Sequence, residues 1–288
     1  MRVSLHHITQ YRYDRQVRLG PQIIRLHPAP HYRGHLLRYS MTLEPSGADI
    51  QWIPDAFANQ TAEVRFPDHT DVFRVSVELM IDKGTISPLA VSPTADAGHG
   101  PPHYAPPLIR ALAPYRHTAP AGRLFQAYLS TIDVRHLPAA TFVMMMNQKL
   151  HQDIRYRIRQ EHGVQTPEHT LRDGSGSCRD SGWLLVHLLR HCGFAARFVS
   201  GYLIQLPSDT SERTNPDLSS TELHAWCEVY LPDAGWVGLD PTSGLLTDEG
   251  HVPLACAPDP AAAAPIEGSV ESCEVDFSYR IAITVMDE

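Results

Sequence analysis

The sequence predicts an α+β protein, with an N-terminal antiparallel β-sandwich domain followed by a core in which one helix packs on an antiparallel sheet. Three observations predict this fold. Apolar and polar residues alternate through residues 1–87, and helical patterns begin only after a proline-rich stretch at residues 88–107. A glycine- and serine-rich run at residues 174–180 then leads into an apolar helix, which alternating strands follow. Such segregated runs of strands and helices are typical of α+β domains.

The N-terminal sandwich is predicted from short alternating strands divided by turns. One strand carries its apolar residues at positions 37–43 and a longer one carries them at positions 73–81, with turn-rich segments at 44–47 and 66–69. Prolines then recur at 88, 93, 101, 102, 106 and 107. This composition indicates an extended linker over residues 88–107, and we expect a domain boundary there.

The second domain is predicted to cover residues 108–288. Candidate helices span 122–132 and 138–152, and a strand at 154–158 places Arg155, Arg157 and Arg159 on one face, which we expect to be solvated. A strand at 196–206 precedes a polar loop at 207–220 that is expected to form a rim of a cleft.

A strand at the C-terminus has strong period-two patterning. Six apolar residues alternate with polar ones between Val275 and Val285, which is typical of a half-buried strand. We expect it to extend the sheet of the second domain, and docking on the N-terminal sandwich is the alternative. The sandwich itself is expected to border the functional cleft.

Cys178 is predicted to lie in the first turn of a helix. Ser177 is a good N-cap, and Asp180 can return a bond to complete a capping box. Unpaired N–H groups and the helix dipole favour an ionised thiol there and could hold a developing oxyanion. The alternative is a buried structural cysteine, as expected for Cys192 and Cys227, but nearby glycines and the lack of apolar neighbours favour a nucleophile.

His224 and Asp240 are the candidate partners of that thiol. His224 lies on the polar face of an alternating strand at residues 224–231, and Asp240 ends a second strand, just before a proline. A four-residue loop that pairs Leu231 with Trp236 would put them on opposite faces, whereas a five-residue loop or a bulge would put them on one face. The sequence leaves both arrangements open.

Four segments together resemble the core of the transglutaminase-like superfamily, whose members are papain-related enzymes. These segments are 176–180 (GSCRD), 196–202 (ARFVSGY), 224–230 (HAWCEVY) and 235–242 (GWVGLDPT). The opening residues 7–13 (HITQYRY) are similar to a bacterial branch that carries an extra N-terminal β domain. The resemblance therefore implies that the second domain has a papain-like, transglutaminase-like core.

The resemblance also implies roles for three residues: Cys178 as nucleophile, His224 as base and Asp240 as the group that orients the imidazole. One departure is the run Ser181-Gly182-Trp183, where relatives usually carry an aromatic or small apolar residue just after the Arg-Asp pair. The implied chemistry is thiol-dependent acyl transfer at amide or peptide bonds of a protein or peptide substrate. Tyr156 and Gln165 are candidates for a second oxyanion donor.

Three functions remain open at this stage. Hydrolysis by a cysteine peptidase or amidase is favoured, and transamidation of protein glutamine is the alternative with the same residues. A non-catalytic module that binds peptides on the same fold belongs to another class.

Charge and composition limit the classes of partner and the cellular location that we expect. The 288 residues carry a net charge of −8 without a cluster of basic residues, which argues against nucleic acid. The longest apolar stretch, residues 137–146, is too short to cross a bilayer, and the N-terminus lacks the apolar core of a signal peptide. Five cysteines without a CxxC motif are typical of reduced thiols, so we predict a cytoplasmic protein without a membrane partner.

No metal and no cofactor are predicted. His187 and His191 have a spacing that can chelate zinc, but the glutamate of an HExxH motif is missing, and we expect them on a solvated or partner-facing surface. The glycines at 174 and 176 fit neither a P-loop nor a Rossmann motif. The oligomeric state is left open.

Overall fold

The N-terminal part consists of six strands, which include the two predicted at residues 37–43 and 73–81. A computed structural model describes residues 1–83, 99–159, 161–206 and 220–286. The six strands are β1 (Arg2–Val17), β2 (Leu19–Ile24), β3 (His35–Glu44), β4 (Asp49–Pro54), β5 (Gln60–Arg65) and β6 (Thr70–Asp82). Their alternating apolar side chains meet in one core, which includes Leu5, Val64 and Val77.

The C-terminal strands complete this sandwich. Strands β14 (Ile266–Val270) and β15 (Val275–Met286) close two four-stranded sheets, whose strand orders are β15-β1-β6-β3 and β14-β2-β5-β4. Strand β15 runs antiparallel to β1, with Arg2 opposite Met286 and Tyr13 opposite Val275. The expectation that the last strand extends the sheet of the second domain is therefore wrong, and the alternative of docking on the sandwich is correct.

The second domain is built on a five-stranded antiparallel sheet with the order β12-β11-β10-β9-β13. Its strands are β9 (Ala196–Gln205), β10 (Ser220–Leu231), β11 (Gly235–Asp240), β12 (Leu245–Leu246) and β13 (His251–Ala257). Two short strands, β7 (Arg155–Tyr156) and β8 (Ser175–Gly176), form a separate parallel pair.

Five helices accompany the five-stranded sheet in the described residues. They are α1 (Pro106–Ala111), α2 (Arg123–Ser130), α3 (Ala139–Asp153), α4 (Pro167–Asp173) and α5 (Cys178–His191), with short 3-10 helices at Ala113–Arg116 and Pro260–Ala263. Leucines of α5 pack against the apolar face of β10. The predicted α+β class, with a helix on an antiparallel sheet, is confirmed.

The linker and loop predictions are tested only in part. Helix α1 begins inside the predicted linker, because a proline is well tolerated in the first helical turn. Residues 84–98 and 207–219, which include most of that linker and of the expected rim loop, lie outside the described residues. The division into 1–87, 88–107 and 108–288 stays a prediction.

The outer edge of β13 shows why β15 cannot extend the five-stranded sheet. The Ala29 N–H donates to the carbonyl of Pro253 at 2.8 Å. The Asn59 side chain accepts from the N–H of Cys256 at 2.8 Å and donates to its carbonyl at 3.0 Å. Because residues of the sandwich already bond this edge, it is closed to another strand. Strand β1, by contrast, offered a long free edge.

The sandwich also packs on the five-stranded sheet, beside the part of its apolar face that α5 covers. Tyr202, Ile204, Val252 and Leu254 join the apolar core of the sandwich. His7 of β1 meets the hydroxyl of Tyr202 through Nδ1 at 2.8 Å. Consecutive residues of β9 and of the middle of β10 are buried, so the centre of the sheet is buried on both faces.

The zinc-spaced histidines are not on a solvated face. His187 is buried against Trp183, with ring centroids 4.3 Å apart, and Phe125 of α2 stacks edge-on against both His187 and His191. The expectation of a solvated face is wrong because α2 covers this part of α5.

Among the described helices, none combines the length and the apolar character needed to cross a membrane.

Removal of residues 1–85 tests how far the two parts depend on each other. We expect the truncated chain to be insoluble or unfolded, because β14 and β15 lose their partners and the Tyr202 face of the sheet is exposed to water. Soluble yield and circular dichroism, compared with the full chain, measure this. A soluble, cooperatively melting fragment would contradict it.

Candidate active site

Helix α5 begins at Cys178, where the sequence predicts it. Ser177 is the N-cap, and its N–H and hydroxyl both donate to Asp180 Oδ2 at 2.8 Å. The parallel pair β7–β8 leads into this turn and sets Tyr156 opposite Gly176. Cys178 is half-buried at the helix start, unlike the fully buried Cys227 and Cys256.

Asp180 is the anchor of the helix start. Its fully buried carboxylate accepts two bonds from Arg159, at 2.9 and 3.1 Å, and one from the N–H of Gln165 at 2.7 Å. Burial alone would raise the pKa of this carboxyl, but these donors and Ser177 outweigh it and hold the pKa below its usual value. Asp180 therefore stays ionised and ties three chain segments to the turn that carries Cys178.

Arg159 corrects a prediction. The sequence places it on a solvated face with Arg155 and Arg157, yet its side chain is only 9% exposed and pairs with Asp180. Arg155 and Arg157 are exposed as expected. Strand β7 ends at Tyr156, so the strict alternation on which the prediction rested does not reach Arg159.

The hairpin of β10 and β11 decides the register that the sequence left open. Leu231 pairs with Gly235 and Tyr230 with Trp236, so the loop has three residues, 232–234, rather than four or five. This register puts His224 and Asp240 on one face as diagonal neighbours. His224 Nε2 lies 3.0 Å from Asp240 Oδ2, and each side chain is 2% exposed.

The His224 ring is placed between acceptors. Burial by itself would lower its pKa, but its interactions with Asp240, Cys178 and Glu222 outweigh this and raise the pKa well above its usual value. Nδ1 lies 3.4 Å from the Glu222 carboxylate. The structure thus pairs His224 with Asp240 and places Cys178 close enough to act on the imidazole. The catalytic roles of the three residues stay a prediction.

Asp240 has further partners that the sequence did not reveal. Thr242 donates to Oδ1 through its N–H and its hydroxyl, both at 2.8 Å. His251 Nε2 lies 3.4 Å from Oδ2. Burial alone would raise the pKa of Asp240, but its bonds with His224, His251 and Thr242 lower it strongly. His251 begins β13 and belongs to no motif, so no sequence signal pointed to it.

The two predicted oxyanion donors have different surroundings. Gln165 is held by its backbone N–H, which bonds Asp180, and by its side-chain oxygen, which accepts from Thr170 at 3.2 Å. Cys178 and Tyr279 of β15 are near enough to act electrostatically on the Tyr156 hydroxyl. Strand β15 also contacts β10, so the sandwich borders the site as expected.

Gly182 has a packing role. A Cβ built on it would lie 3.3 to 3.4 Å from backbone atoms of Trp226. The missing side chain lets α5 approach β10 closely, and Cys178 begins the same helix one turn earlier. The departure from the usual pattern of relatives therefore serves the contact between the two elements that carry Cys178 and His224.

Two groups in the described part of the chain offer three ligand atoms within 4.8 Å of one another, as a metal ion would need. One consists of His31, Glu228 and Cys256, but Arg197 already pairs with Glu228 at 2.6 Å and lies 3.2 Å from the His31 ring. A guanidinium in that position competes with a cation. The other consists of His224, Asp240 and His251. The absence of a required metal or cofactor stays a prediction.

Family comparison agrees with this geometry. The model of the transglutaminase-like superfamily matches residues 128–241, and the model of the bacterial transglutaminase-like N-terminal region matches residues 3–82. The chain belongs to the transglutaminase-like superfamily. The bacterial branch with an additional N-terminal β domain, which residues 7–13 suggest, is confirmed as well.

Relatives that align over nearly the whole chain include mycobacterial proteins. Uncharacterized proteins of Mycobacterium tuberculosis and Mycobacterium bovis are 25% identical over 97% of this chain and 92% of their own length. A solved structure from Cytophaga hutchinsonii, described as a "putative cysteine protease", aligns with a TM-score of 0.69 and 17% identity, over 100% of this chain and 91% of that one. Identity at this level shows a shared fold.

The Arg159–Asp180 pair generates a stability prediction. Arg159→Leu leaves a buried carboxylate without its main partner, and we expect a loss of about 3 kcal/mol in the free energy of unfolding. Because the folded pKa of Asp180 is lowered, the pair stabilises above the usual pKa of 3.8, and this contribution is lost as the pH falls further. Urea unfolding at pH 7 measures it.

The matched control for that variant is Arg157→Leu. Arg157 is 45% exposed and lies 3.8 Å from Asp173, so its removal should change stability by less than about 1 kcal/mol. Equal losses in the two variants would mean that Asp180 is not the anchor of the turn.

Proposed function

We propose that this protein is a cysteine-dependent enzyme that transfers acyl groups from amide or peptide bonds. Cys178 is the nucleophile, His224 is the base, and Asp240 orients the imidazole. The observation that carries the proposal is the buried His224 ring, which lies 3.0 Å from Asp240 and is close enough to Cys178, at the start of α5, for the two side chains to interact. Membership of the transglutaminase-like superfamily supports a thiol-dependent reaction.

The reaction proceeds through a thioester. The proton of the Cys178 thiol passes to His224, and Sγ attacks the carbonyl carbon of the amide. The C–N bond breaks as the His224 imidazolium protonates the leaving amine. Water then attacks the thioester, His224 takes its proton, and the carboxylic acid leaves with regeneration of the thiol. A lysine amine in place of water gives transamidation with the same residues.

We favour water as the acceptor. The name of the Cytophaga hutchinsonii protein points to peptide hydrolysis, and that protein shares the whole fold. A non-catalytic peptide-binding module has less support, because peptide binding alone does not require a thiol with a buried histidine–aspartate pair. The substrate is a protein or peptide, and the cytoplasm is the proposed location.

The pH dependence of Cys178 alkylation separates an enzyme from a binding module. We expect iodoacetamide to label Cys178 rapidly well below pH 7, because a His224 whose pKa is raised holds its proton and stabilises the thiolate. Peptide mass spectrometry assigns the label among the five cysteines, and Cys178→Ala is the control. Labelling that rises only near pH 8 to 9 would favour the binding module.

The wild type and Cys178→Ala also show whether water or an amine accepts the acyl group. Incubation of the wild type and Cys178→Ala with cell lysate, followed by mass spectrometry, identifies acyl adducts on the cysteine. Adducts that disappear with time and release free carboxyl termini support hydrolysis. Adducts that move to added amines support transamidation.

Tyr156 is proposed as the second oxyanion donor beside the Cys178 N–H. Burial, followed by the nearby Cys178, Glu222 and Asp240, raises the pKa of Tyr156 to about 12, so the hydroxyl keeps its proton at working pH and can donate it to an oxyanion. We expect Tyr156→Phe to lower kcat about 100-fold and to leave the iodoacetamide labelling of Cys178 unchanged, since alkylation forms no oxyanion. An unchanged kcat would exclude this role.

A further inference from the structure

The carboxylate of Asp240 is shared by two histidines. His224 Nε2 lies 3.0 Å from Oδ2 on one side, and His251 Nε2 lies 3.4 Å from the same oxygen. The two rings are 6.2 Å apart between centroids. An ionised carboxylate only accepts hydrogen bonds, so both nitrogens that face it must carry protons.

His251 is itself held in place. Its Nδ1 lies 2.9 Å from Asp248 Oδ1, and the indole of Trp226 packs edge-on against the ring at 5.3 Å between centroids. The side chain is 8% exposed, and it lines a cavity of about 60 Å³ together with Trp226 and Asp248. A ring that is fixed on two sides and aimed at Asp240 is suited to orienting that carboxylate.

We propose that His251 is a positioning residue, which orients the Asp240 carboxylate for His224 with Asp248 as its support. This inference rests on the proposed function, because it assigns His251 to the same thiol–imidazole pair. It acts on the reaction through Asp240 and touches neither the thiol nor the reacting carbonyl.

The bond to Asp240 can persist in both protonation states of His251. The charged ring donates through Nε2 to Asp240 and through Nδ1 to Asp248. In the neutral ring, Nδ1 can accept instead from the Asp248 N–H at 3.2 Å, and Nε2 keeps its proton. Asp248 thus offers Nδ1 both an acceptor and a donor, so the orientation of Asp240 does not depend on the charge of His251.

The charged groups around His251 favour its protonated form. Asp240 faces it from β11, Asp248 from the preceding turn and His224 from β10, while His31 and Glu228 lie across the cavity. Burial lowers the pKa of His251, but the bonds to Asp240 and Asp248 outweigh this and raise the pKa above its usual value. The positive charge of Lys83 in turn helps to lower the pKa of Asp248.

Two substitutions separate the hydrogen bond from the charge. His251→Leu removes both, whereas His251→Gln retains an N–H donor in a similar place without a charge. The readout is the pH dependence of Cys178 alkylation by iodoacetamide in the full chain. We expect His251→Leu to move the acid limb of this profile upward by about one pH unit, which is about a tenfold loss of rate at pH 6, and His251→Gln to stay within about threefold of the wild type.

Controls keep structural damage apart from positioning. His169→Gln removes another histidine–aspartate contact, at 3.1 Å from Asp173 on the surface, and should not move the profile. Circular dichroism shows whether each variant is folded. Should His251→Leu not fold, His251→Phe decides, since it keeps a ring against Trp226 without a donor to Asp240 and should lower the rate at pH 6 about tenfold.

The inference is overturned by an unmoved profile in folded His251→Leu or His251→Phe, or by equal shifts in the Leu and Gln variants. Failure of the proposed function looks different, since the wild type itself would then lack labelling below pH 7. In that case Cys178 forms no reactive thiolate that His251 could affect, and both proposals are excluded.

Discussion

The buried carboxylate of Asp180 is the interaction on which the site depends most. Five N–H or O–H donors from Arg159, Gln165 and Ser177 surround it, so three separate segments of chain converge on the first turn of α5. A carboxylate without water is costly unless its acceptor sites are filled, and here they are. The position of Cys178 follows from this anchor, because the thiol lies two residues earlier in the same turn.

The register of the β10–β11 hairpin is a second constraint, and it positions the two residues that act with the thiol. A three-residue loop aligns His224 and Asp240 on one face, and a one-residue slip would separate them. That face is buried rather than open, because the sandwich packs over it and supplies His31 against Glu228 at 3.1 Å. The first domain therefore forms one wall around the polar side of the sheet and helps to exclude water from the histidine–aspartate pair.

Much of this arrangement could be predicted from the sequence, because it depends on local patterns. Period-two alternation located the long strands β3, β6, β9, β10 and β15, and the Ser177–Asp180 capping box located the start of α5 to the residue. Non-local features could not be predicted in the same way. The partner of β15 depends on which sheet edge remains free, the burial of Arg159 depends on Asp180, and the position of His251 depends on how β13 lies beside β9. Each is a property of tertiary packing that no spacing encodes.

The pairing of β1 with β15 also bears on how the protein matures. The ladder joins the first strand to the last one, so the sandwich cannot close while the C-terminal segment is still within the ribosome. Contacts between residues so far apart along the chain form slowly. The wall beside Tyr156 arrives with that last segment, since it contains Tyr279. Completion of the cleft is thereby tied to the emergence of β15, and a chain terminated before residue 275 would lack a finished cleft.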